Sequence, residues 1–270
     1  MSKNTYFEVK NVSAGYGDKE IIHEICFEAE PHTLTALIGP NGCGKTTLLK
    51  SMVNLLEYQG DCILHGEKLK EVSTRKLARM VSYIPQRSGI QMSMSVLDVV
   101  LMGFNPVLKL LERPNKKQKQ RAKDAIASVG LAAYINKDYL TLSEGQKQLV
   151  MLARTMIEDT ELLILDEPDS ALDFQNRYLI LNILKELTMK EEKAGILCLH
   201  DPEMALEFCQ QIVVMKDGEI IDILHPQTDE LTKMEQALRK IYGNVTLNKC
   251  IDRKNHTHLV LLWEGEECVQ

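Results

Sequence analysis

The sequence predicts an α/β protein in which helices cover the faces of a parallel sheet. Three observations support this prediction. Short apolar runs typical of buried strands alternate with helical patterns along the chain. A glycine-rich loop joins one such run, at 34–38, directly to a helical pattern at 45–56. A second apolar run, at 162–165, ends in Asp166 and Glu167. Because ligands of open α/β sheets bind at the carboxyl ends of strands, both loops are candidate site segments.

The composition limits the function classes. The chain has 270 residues, 44% of them hydrophobic, so it can bury a large core and is not expected to be disordered. No apolar run approaches the roughly 18–20 residues that span a bilayer, and the polar start does not resemble a signal peptide. A net charge of -6 lacks the basic footprint of nucleic-acid binders, so no nucleic-acid partner is expected. Seven cysteines without a C-x-x-C pair favour reduced thiols in a cytosolic compartment.

Hydrophobic periodicity predicts the order of the elements. Alternating apolar residues near 7–9 and 25–29 predict strands, with a turn at 14–18 between them. The mixed composition after Leu224 predicts a separate C-terminal appendage. The other predicted elements are strands at 34–38, 162–165 and 196–199, and helices at 45–56, from Ser143 onward, at 175–186 and near 231–241.

One segment is basic although the chain as a whole is acidic. Residues 103–121 are irregular and then rich in cations. The favoured interpretation is the solvated start of a helix, and the alternative is a contact with a membrane partner or with acidic lipid. The basic residues of this run are Arg113, Lys116, Lys117, Lys119, Arg121 and Lys123.

The glycine-rich loop matches the G-x-x-x-x-G-K-[ST] pattern of a phosphate-binding loop. Its glycines let backbone N–H groups converge on phosphate oxygens, and the following helix presents its positive end to the same anion. In this pattern Lys45 reaches the β- and γ-phosphates, and the Thr46 hydroxyl binds Mg²⁺. The predicted nucleotide-binding residues of the loop are Gly39, Pro40, Asn41, Gly42, Cys43, Gly44, Lys45, Thr46 and Thr47.

A phosphate-binding loop alone is compatible with a kinase, a GTPase or a helicase-like motor. A GTPase is expected to contain Asn-Lys-x-Asp for guanine recognition. The nearest candidates, at 136–138 and 248–252, have the wrong spacing. Guanine specificity is therefore disfavoured.

The acidic strand end supplies the chemistry that a nucleotide hydrolase needs. Asp166 can hold the Mg²⁺ shell, and Glu167 can accept a hydrogen bond from the attacking water. A strand capped by a charged turn is the alternative, and the nearby phosphate loop makes it remote.

A third motif, Leu142 to Gln146, predicts a helix start. Ser143 as N-cap with Gln146 three residues later forms a capping box. Gly145 in the first turn costs about 1 kcal/mol relative to alanine, and close approach of a ligand would explain that cost. The functional interpretation is a second helix N-terminus directed at phosphate.

In their order along the chain, these motifs resemble those of the ATP-binding subunits of ABC transporters, and the resemblance covers nearly the whole length. It matches 142–146 to the signature motif and 170–173 to the D-loop. The resemblance implies that Glu167, His200, Lys45 and Gln86 are catalytic, and that Thr46, Gln86 and Asp166 serve the metal. It also implies that Tyr16, Ser143, Gly145 and Gln146 bind ATP together with the phosphate loop.

The resemblance implies the fold and its divisions. The expected fold is a P-loop NTPase with a RecA-like core, an N-terminal antiparallel β-subdomain and an α-helical signature subdomain. The nucleotide-binding domain is expected at 1–225, with the helical subdomain roughly at 88–160. A helix-strand tail is expected at 226–270.

The resemblance also implies cofactors, partners and location. The cofactors are ATP and Mg²⁺. Two copies form a head-to-tail homodimer, in which each ATP lies between one copy's phosphate loop and the other's signature helix. Integral-membrane permease subunits are the direct partners, and an extracytoplasmic substrate-binding protein is an indirect one. The chain is expected to be peripheral, on the cytoplasmic face of the membrane.

Some residues depart from the usual motifs of the family, and other segments indicate a class of transporter within it. Glu144 stands where the signature motif usually has glycine, and Asp169 replaces a common threonine. A carboxylate at 144 suits the helix dipole but is adverse near a γ-phosphate, so slightly weaker ATP-driven closure is expected. Residues 102–106 and the tail are loosely similar to importers of iron chelates, haem and cobalamin. An exporter subunit and a non-transport nucleotide switch of the same fold are the alternatives.

Overall fold

The computed structural model describes residues 5–109 and 111–265. The strands in this part of the chain are β1 (Phe7–Tyr16), β2 (Lys19–Ala29), β3 (Thr33–Ile38), β4 (Tyr58–Leu64), β5 (Glu67–Lys68), β6 (Val81–Ile84), β7 (Leu162–Leu165), β8 (Ala194–Cys198), β9 (Gln211–Lys216), β10 (Glu219–Leu224), β11 (Val245–Ile251) and β12 (Thr257–Trp263). The helices are α1 (Lys45–Met52), α2 (Thr74–Met80), α3 (Val96–Leu101), α4 (Lys116–Ser128), α5 (Glu144–Glu158), α6 (Phe174–Lys190), α7 (Pro202–Phe208) and α8 (Leu231–Tyr242).

The chain divides into two compact units. The first comprises Met1–Lys70 and Cys198–Gln270, and the second comprises Glu71–Leu197. The predicted site residues are divided between the two units. The phosphate loop and His200 lie in the first unit, whereas Gln86, the signature motif and the acidic strand end lie in the second.

The first unit contains an antiparallel sheet of strand order β2-β1-β4-β5. It also contains β3, which pairs in parallel with β9, and β10, which pairs antiparallel with β9. Five of the six residues of β3 are buried, as expected for a strand that is covered on both faces. The loop that follows β3 leads directly into α1. At the C-terminal end, α8 packs against β11, which forms a hairpin with β12.

The second unit is built on the parallel strands β6, β7 and β8, with β7 in the middle. All four residues of β7 are buried leucine or isoleucine side chains. The long helix α5 packs against α3, α4 and β6, and eight of its side chains are buried. Residues 148–153 are buried without a break, so the middle of α5 is enclosed on all sides, as expected for a helix that packs in a core.

Most of the predicted elements are present, and two boundaries are wrong. The turn predicted at 14–18 is smaller, since β1 continues to Tyr16, which pairs with Lys19 across a two-residue turn. The helix predicted at 45–56 ends at Met52. It stops there because Asn54 takes the left-handed conformation with φ 55°, and its Nδ2 donates to the Leu69 carbonyl oxygen at 2.7 Å.

No helix among the described residues is both long enough and apolar enough to cross a bilayer.

Candidate functional site

The phosphate loop follows the carboxyl end of β3 and ends at Gly44, the N-cap residue of α1. Gly44 has φ 105°, and a Cβ atom at this position would lie 2.3 Å from Cγ2 of Ile22. No side chain caps α1. Its first-turn N–H groups therefore receive no side-chain acceptor from the N-cap residue, as an anion-binding helix end requires. Side chains do accept hydrogen bonds at six other helix starts, namely Ser73, Ser95, Asn115, Ser143, Asp173 and Asp201.

Lys45 holds its charge inside the loop. Its side chain is 6% exposed, and Nζ donates to the carbonyl oxygens of Gly39 at 2.7 Å and Pro40 at 3.1 Å. Cys43, also buried, has its Sγ atom 4.0 Å from this ammonium group. Burial raises the pKa of the Cys43 thiol, and the positive charge of Lys45 only partly opposes that effect. The loop therefore presents a cation and a neutral thiol.

His200 follows the carboxyl end of a strand, β8, just as the phosphate loop follows the carboxyl end of β3. The N–H of Leu199 donates to the carbonyl oxygen of Leu37 in β3 at 3.2 Å, so the chain leaves the sheet beside β3. The exposed His200 comes next, and Asp201 caps α7 by accepting from the N–H groups of Glu203 and Met204. Pro202 begins the helix with a φ that suits its first turn. The fold thus fixes the backbone on both sides of His200.

Tyr16 lies at the end of β1 with its side chain 50% exposed. It lines an open cavity of about 810 Å³ whose walls are formed by segments of Ser13–Glu20 and Leu55–Gln59. An exposed aromatic face at a cavity can stack on a nucleotide base. The position of Tyr16 is therefore compatible with the predicted adenine contact.

Tyr242, the last residue of α8, was not identified from the sequence as a site residue. Burial raises its pKa to about 12, with further contributions from Asp201 and Cys43. These interactions place a neutral phenol near the cap of α7 and near the phosphate loop. The periodicity of α8 gives no indication of this proximity, because it depends on how the C-terminal helix packs.

In the second unit, the acidic strand end is positioned by the sheet. Asp166 follows β7 directly, its side chain is 3% exposed, and its N–H donates to the Ile84 carbonyl oxygen at 2.8 Å. The next residue, Glu167, has φ 52°, an uncommon conformation for a side-chain-bearing residue that occurs often at functional sites. The Ser170 hydroxyl donates to the Glu167 carbonyl oxygen at 3.1 Å and supports this turn.

Gln86 contacts the acidic strand end. Its Nε2 donates a short hydrogen bond to Oε2 of Glu167, so these two predicted site residues lie together. The Gln86 carbonyl oxygen in turn accepts from Nε2 of Gln148 at 3.0 Å. Gln148 is 8% exposed in α5, two residues after Gln146 of the signature motif. No sequence motif includes Gln148, although a buried amide in the middle of an apolar helix is an unusual position that could have indicated this contact.

The start of α5 confirms the predicted capping box. The Ser143 hydroxyl accepts from the Gln146 N–H at 3.2 Å, and Oε1 of Gln146 accepts from the Ser143 N–H at 3.1 Å. Packing within the protein explains a glycine at position 145 without any ligand. A Cβ atom there would lie 3.0 Å from the Ala171 carbonyl oxygen and 3.1 Å from the Leu172 side chain. The glycine therefore allows close packing of α5 against the D-loop segment.

Glu144 points away from this packing. Its side chain is 67% exposed and forms an ion pair with Lys147 at 2.7 Å. The carboxylate lies in the first turn of α5, where the helix dipole favours a negative charge. Asp169 is buried, and nothing in the structure explains why it replaces the usual threonine.

Comparison with known proteins decides the family. The family model described as ABC transporter matches residues 22–170, which is more than half of the chain. The chain belongs to the ABC transporter family. The match covers the phosphate loop, Gln86, the signature motif and the acidic strand end of this ABC ATPase.

The relatives of this ABC ATPase with assigned roles align over most of its length. The petrobactin import ATP-binding protein FpuD of Bacillus anthracis is 32% identical over 214 residues, which is 79% of this chain and 78% of that protein. The iron(3+)-hydroxamate import ATP-binding protein FhuC of Bacillus subtilis is 31% identical over 213 residues, covering 78% of this chain and 79% of that protein. This ABC ATPase is thus an ATP-binding and ATP-hydrolysing subunit of an ABC transporter.

Solved structures agree on the fold. A protein described as a metal-chelate type ABC transporter in an inward-facing conformation has a TM-score of 0.80 at 23% identity, covering 97% of this chain and 99% of that one. A dimeric ATP-binding cassette in a post-hydrolysis state with ADP and Pi has a TM-score of 0.73 at 22% identity, covering 82% of this chain and 98% of that one. The predicted fold class is confirmed.

Proposed function

We propose that this ABC ATPase energises the import of an iron chelate through a separate membrane permease. The observation that supports this cargo class is the set of relatives that align over about four fifths of the chain. They include proteins for petrobactin, iron chelatin, iron(3+)-hydroxamate and siderophore transport. Haem and cobalamin, also expected from the sequence, would require the same kind of permease.

Two further relatives offer competing cargo classes. A phosphonates import ATP-binding protein of Fusobacterium nucleatum is 33% identical over 248 residues, or 88% of this chain. A manganese transport ATP-binding protein of Listeria monocytogenes is 32% identical over 239 residues, also 88% of this chain. Their longer alignments make manganese and phosphonates the first alternatives to an iron chelate.

The proposed binding of ATP uses the phosphate loop. Lys45 and the N–H groups at the start of α1 would bind the phosphates, because both place positive charge at the same loop. Tyr16 would stack on the adenine. Gln146, Ser143 and Gly145 would act from a second copy of the chain, so the active form would be a head-to-tail homodimer.

The donor atoms proposed for Mg²⁺ fit a hard cation. The Thr46 hydroxyl, the Asp166 carboxylate and the Gln86 amide oxygen are all oxygen ligands, which Mg²⁺ prefers. Asp166 is buried at a strand end and so holds its charge in a fixed place. Bound Mg²⁺ would neutralise charge on the phosphates.

Glu167 is proposed to orient the attacking water. Its carboxylate already accepts a hydrogen bond from Gln86, and its backbone is held by Ser170. An ionised carboxylate can accept about four hydrogen bonds, so Glu167 can accept one from a water molecule in addition to the one from Gln86. His200 would contact the γ-phosphate from the loop between β8 and α7.

The proposed partners follow from the transporter class. The chain would bind permease subunits from the cytoplasmic side of the membrane as a peripheral protein. An extracytoplasmic binding protein would deliver the chelate to the permease. An exporter subunit is the remaining alternative for direction, and relatives of import type favour import.

The catalytic part of the proposal is tested with Glu167→Gln. We expect ATP binding to be retained and ATP hydrolysis to fall on the order of 100-fold or more, because the water loses its general base. Size-exclusion chromatography with ATP and Mg²⁺ should show an accumulated dimer. Glu186→Gln, which removes an exposed carboxylate paired with Lys190, is the matched control and should leave turnover unchanged. Wild-type turnover in Glu167→Gln would remove Glu167 from this role.

The cargo part is tested in cells. A strain that lacks this gene should lose uptake of iron supplied as a hydroxamate chelate and keep uptake of manganese and phosphonate. The tagged chain, purified from detergent-solubilised membranes, should bring a permease with it. Loss of manganese uptake with normal iron uptake would instead assign the chain to the manganese class.

A further inference from the structure

The basic segment noted in the sequence forms one exposed surface in the second unit. Seven of the sixteen residues from Lys109 to Asp124 are basic and two are acidic, in a chain of net charge -6. The structure places most of them on the outer side of α4 and just before it. We call Arg113, Lys116, Lys117, Lys119 and Lys123 the basic face, and all five are exposed.

Three of these cations form a row. Lys116, Lys119 and Lys123 are spaced i, i+3 and i+7, so their side chains lie along one stripe of α4. The buried residues Ala122, Ala125 and Ile126 lie on an adjacent side of α4, roughly 100° around the helix axis from this row, and α4 packs against α3 and α5. Within the described residues, no carboxylate forms an ion pair with any member of the basic face. The positive charge of these lysines is therefore available to solvent or to a binding partner.

The start of α4 conflicts with ordinary helix electrostatics. Its first turn contains Lys116 and Lys117 and no acidic residue. Positive charge at a helix N-terminus is unfavourable, because the helix dipole is positive there as well. A capping box between Asn115 and Gln118 secures the helix in spite of this repulsion. Folding alone therefore does not account for lysines at these two positions.

Exposed apolar side chains come just before the basic face. Val107 is 50% exposed and Leu111 is 94% exposed. Leu111 has φ 68°, which is costly for a residue with a side chain. The backbone next to Val107 is held in place, because Nε of Arg79 and Nε of Arg75 donate to the Pro106 carbonyl oxygen at 2.8 and 3.2 Å. Val107 and Leu111 thus expose two apolar side chains to solvent a few residues before the row of lysines in the chain.

Lysines beside exposed aliphatic side chains suit the interface of an anionic bilayer. The lysines are attracted to the negative headgroups, and the aliphatic groups can enter the boundary between headgroups and acyl chains. We propose that the basic face of α4, with Leu111 and Val107, binds the surface of an anionic phospholipid membrane. The proposal depends on the proposed function in one respect only, namely that the protein works next to a membrane.

A nucleic acid is the other polyanion that such lysines could contact. It offers nothing for Leu111 and Val107, and no aromatic side chain lies among the five residues of the basic face. A lipid surface therefore accounts for more of the observations.

The test is cosedimentation of the full chain with lipid vesicles. Wild-type protein should bind mixed phosphatidylcholine–phosphatidylglycerol vesicles and not pure phosphatidylcholine vesicles, and high salt should release it. The triple variant Lys116→Gln, Lys119→Gln, Lys123→Gln should lose binding on the order of tenfold or more, since each lysine near the surface adds to the attraction. Leu111→Ser should weaken binding to a smaller extent.

The matched control removes the same charge elsewhere. Lys249→Gln, Arg253→Gln, Lys254→Gln changes three exposed cations of the C-terminal hairpin region and should leave vesicle binding near the wild-type level. Basal ATP hydrolysis of both triple variants should be unchanged, which separates this proposal from the proposed function. Equal binding to both vesicle types, equal loss in the control, or binding of short RNA that displaces the vesicles would each overturn the proposal.

Discussion

Two helices of this ABC ATPase, α1 and α5, have a glycine at or near their start, and the two glycines have different physical reasons. Gly44 has φ 105°, a backbone conformation that side-chain-bearing residues rarely adopt. Gly145 has an ordinary helical position, and its hydrogen atom in place of a Cβ allows the Ala171 carbonyl oxygen to come close. The first glycine is required by its backbone conformation as well as by packing against Ile22, and the second by packing alone.

The two helix starts also differ in how their backbone groups are satisfied. Ser143 and Gln146 occupy N–H groups at the start of α5, whereas no side chain caps α1. An uncapped helix start beside Lys45 suits an anion held deep in the loop. At the start of α5 the N–H groups of Ser143 and Gln146 are already bonded to side chains, so a ligand there would contact the exposed side of the helix end. The comparison therefore predicts unequal effects of substitution at the two sites.

The largest effect is expected for Gly44→Ala. The new Cβ would meet Ile22 and force φ away from 105°, at a cost of about 1–3 kcal/mol. Because the first turn of α1 would move, ATP affinity should fall on the order of tenfold or more, measured by calorimetry. Gly66→Ala is the control, since Gly66 has φ 79° with nothing within 4 Å. It should lower the melting temperature and leave ATP affinity intact.

Gly145→Ala should have a smaller effect with a different pattern. A contact of 3.0 Å to the Ala171 carbonyl oxygen displaces the D-loop segment by tenths of an ångström, for a cost of about 1 kcal/mol. ATP binding by the monomer should persist, while hydrolysis falls several-fold, roughly as expected for a misplaced site segment. Gly89→Ala, which meets nothing within 4 Å, should behave as wild type. A loss of ATP affinity equal to that of Gly44→Ala would remove the distinction between the two glycines.

Glu144→Gly should have a weak effect in the opposite direction. It removes a negative charge from the signature motif and also the ion pair with Lys147. If the carboxylate opposes a γ-phosphate, ATP-dependent dimerisation should strengthen by about two- to fivefold, because the side chain is exposed and screened. Analytical ultracentrifugation of this variant in the Glu167→Gln background measures the change. Unchanged dimerisation would show that Glu144 is neutral to closure.

The smallest effect concerns the C-terminal hairpin, which lies outside the glycine comparison. Nδ1 of His258 lies 2.8 Å from Oε2 of Glu207 in α7, and this carboxylate raises the pKa of His258. A raised pKa means that the folded state binds the proton more tightly. The added stability is therefore present below the ordinary histidine pKa of about 6.5 and is lost as the pH rises through the raised value.

Trp263 in β12 is the single tryptophan of the chain and reports on this hairpin. Its fluorescence in urea should show a more stable hairpin at about pH 6 than at about pH 8. His258→Gln should abolish that difference, and His256→Gln serves as the control on the neighbouring exposed histidine. A persistent pH dependence in His258→Gln would assign the effect to another group.

The short motifs were sufficient to predict the fold class. The phosphate loop was predictable because glycines, a lysine and a threonine at fixed spacing serve one chemical purpose. The capping box of Ser143 and Gln146 was predictable because its bonds are local in sequence. The end of α1 was not, since it depends on Asn54 reaching the carbonyl oxygen of Leu69.

The amino-acid sequence alone thus determined the features that depend on neighbouring residues along the chain, namely the strands, the helix starts and the family motifs. Contacts between distant segments required the folded structure. Gln148 supports Gln86, Gly145 fits against Ala171, and Tyr242 reaches the region of Cys43. Periodicity shows which side of a helix is buried, but it cannot show which distant residue is packed against it. Those pairings depend on the packing of the whole core, where each side chain is placed by many others at once.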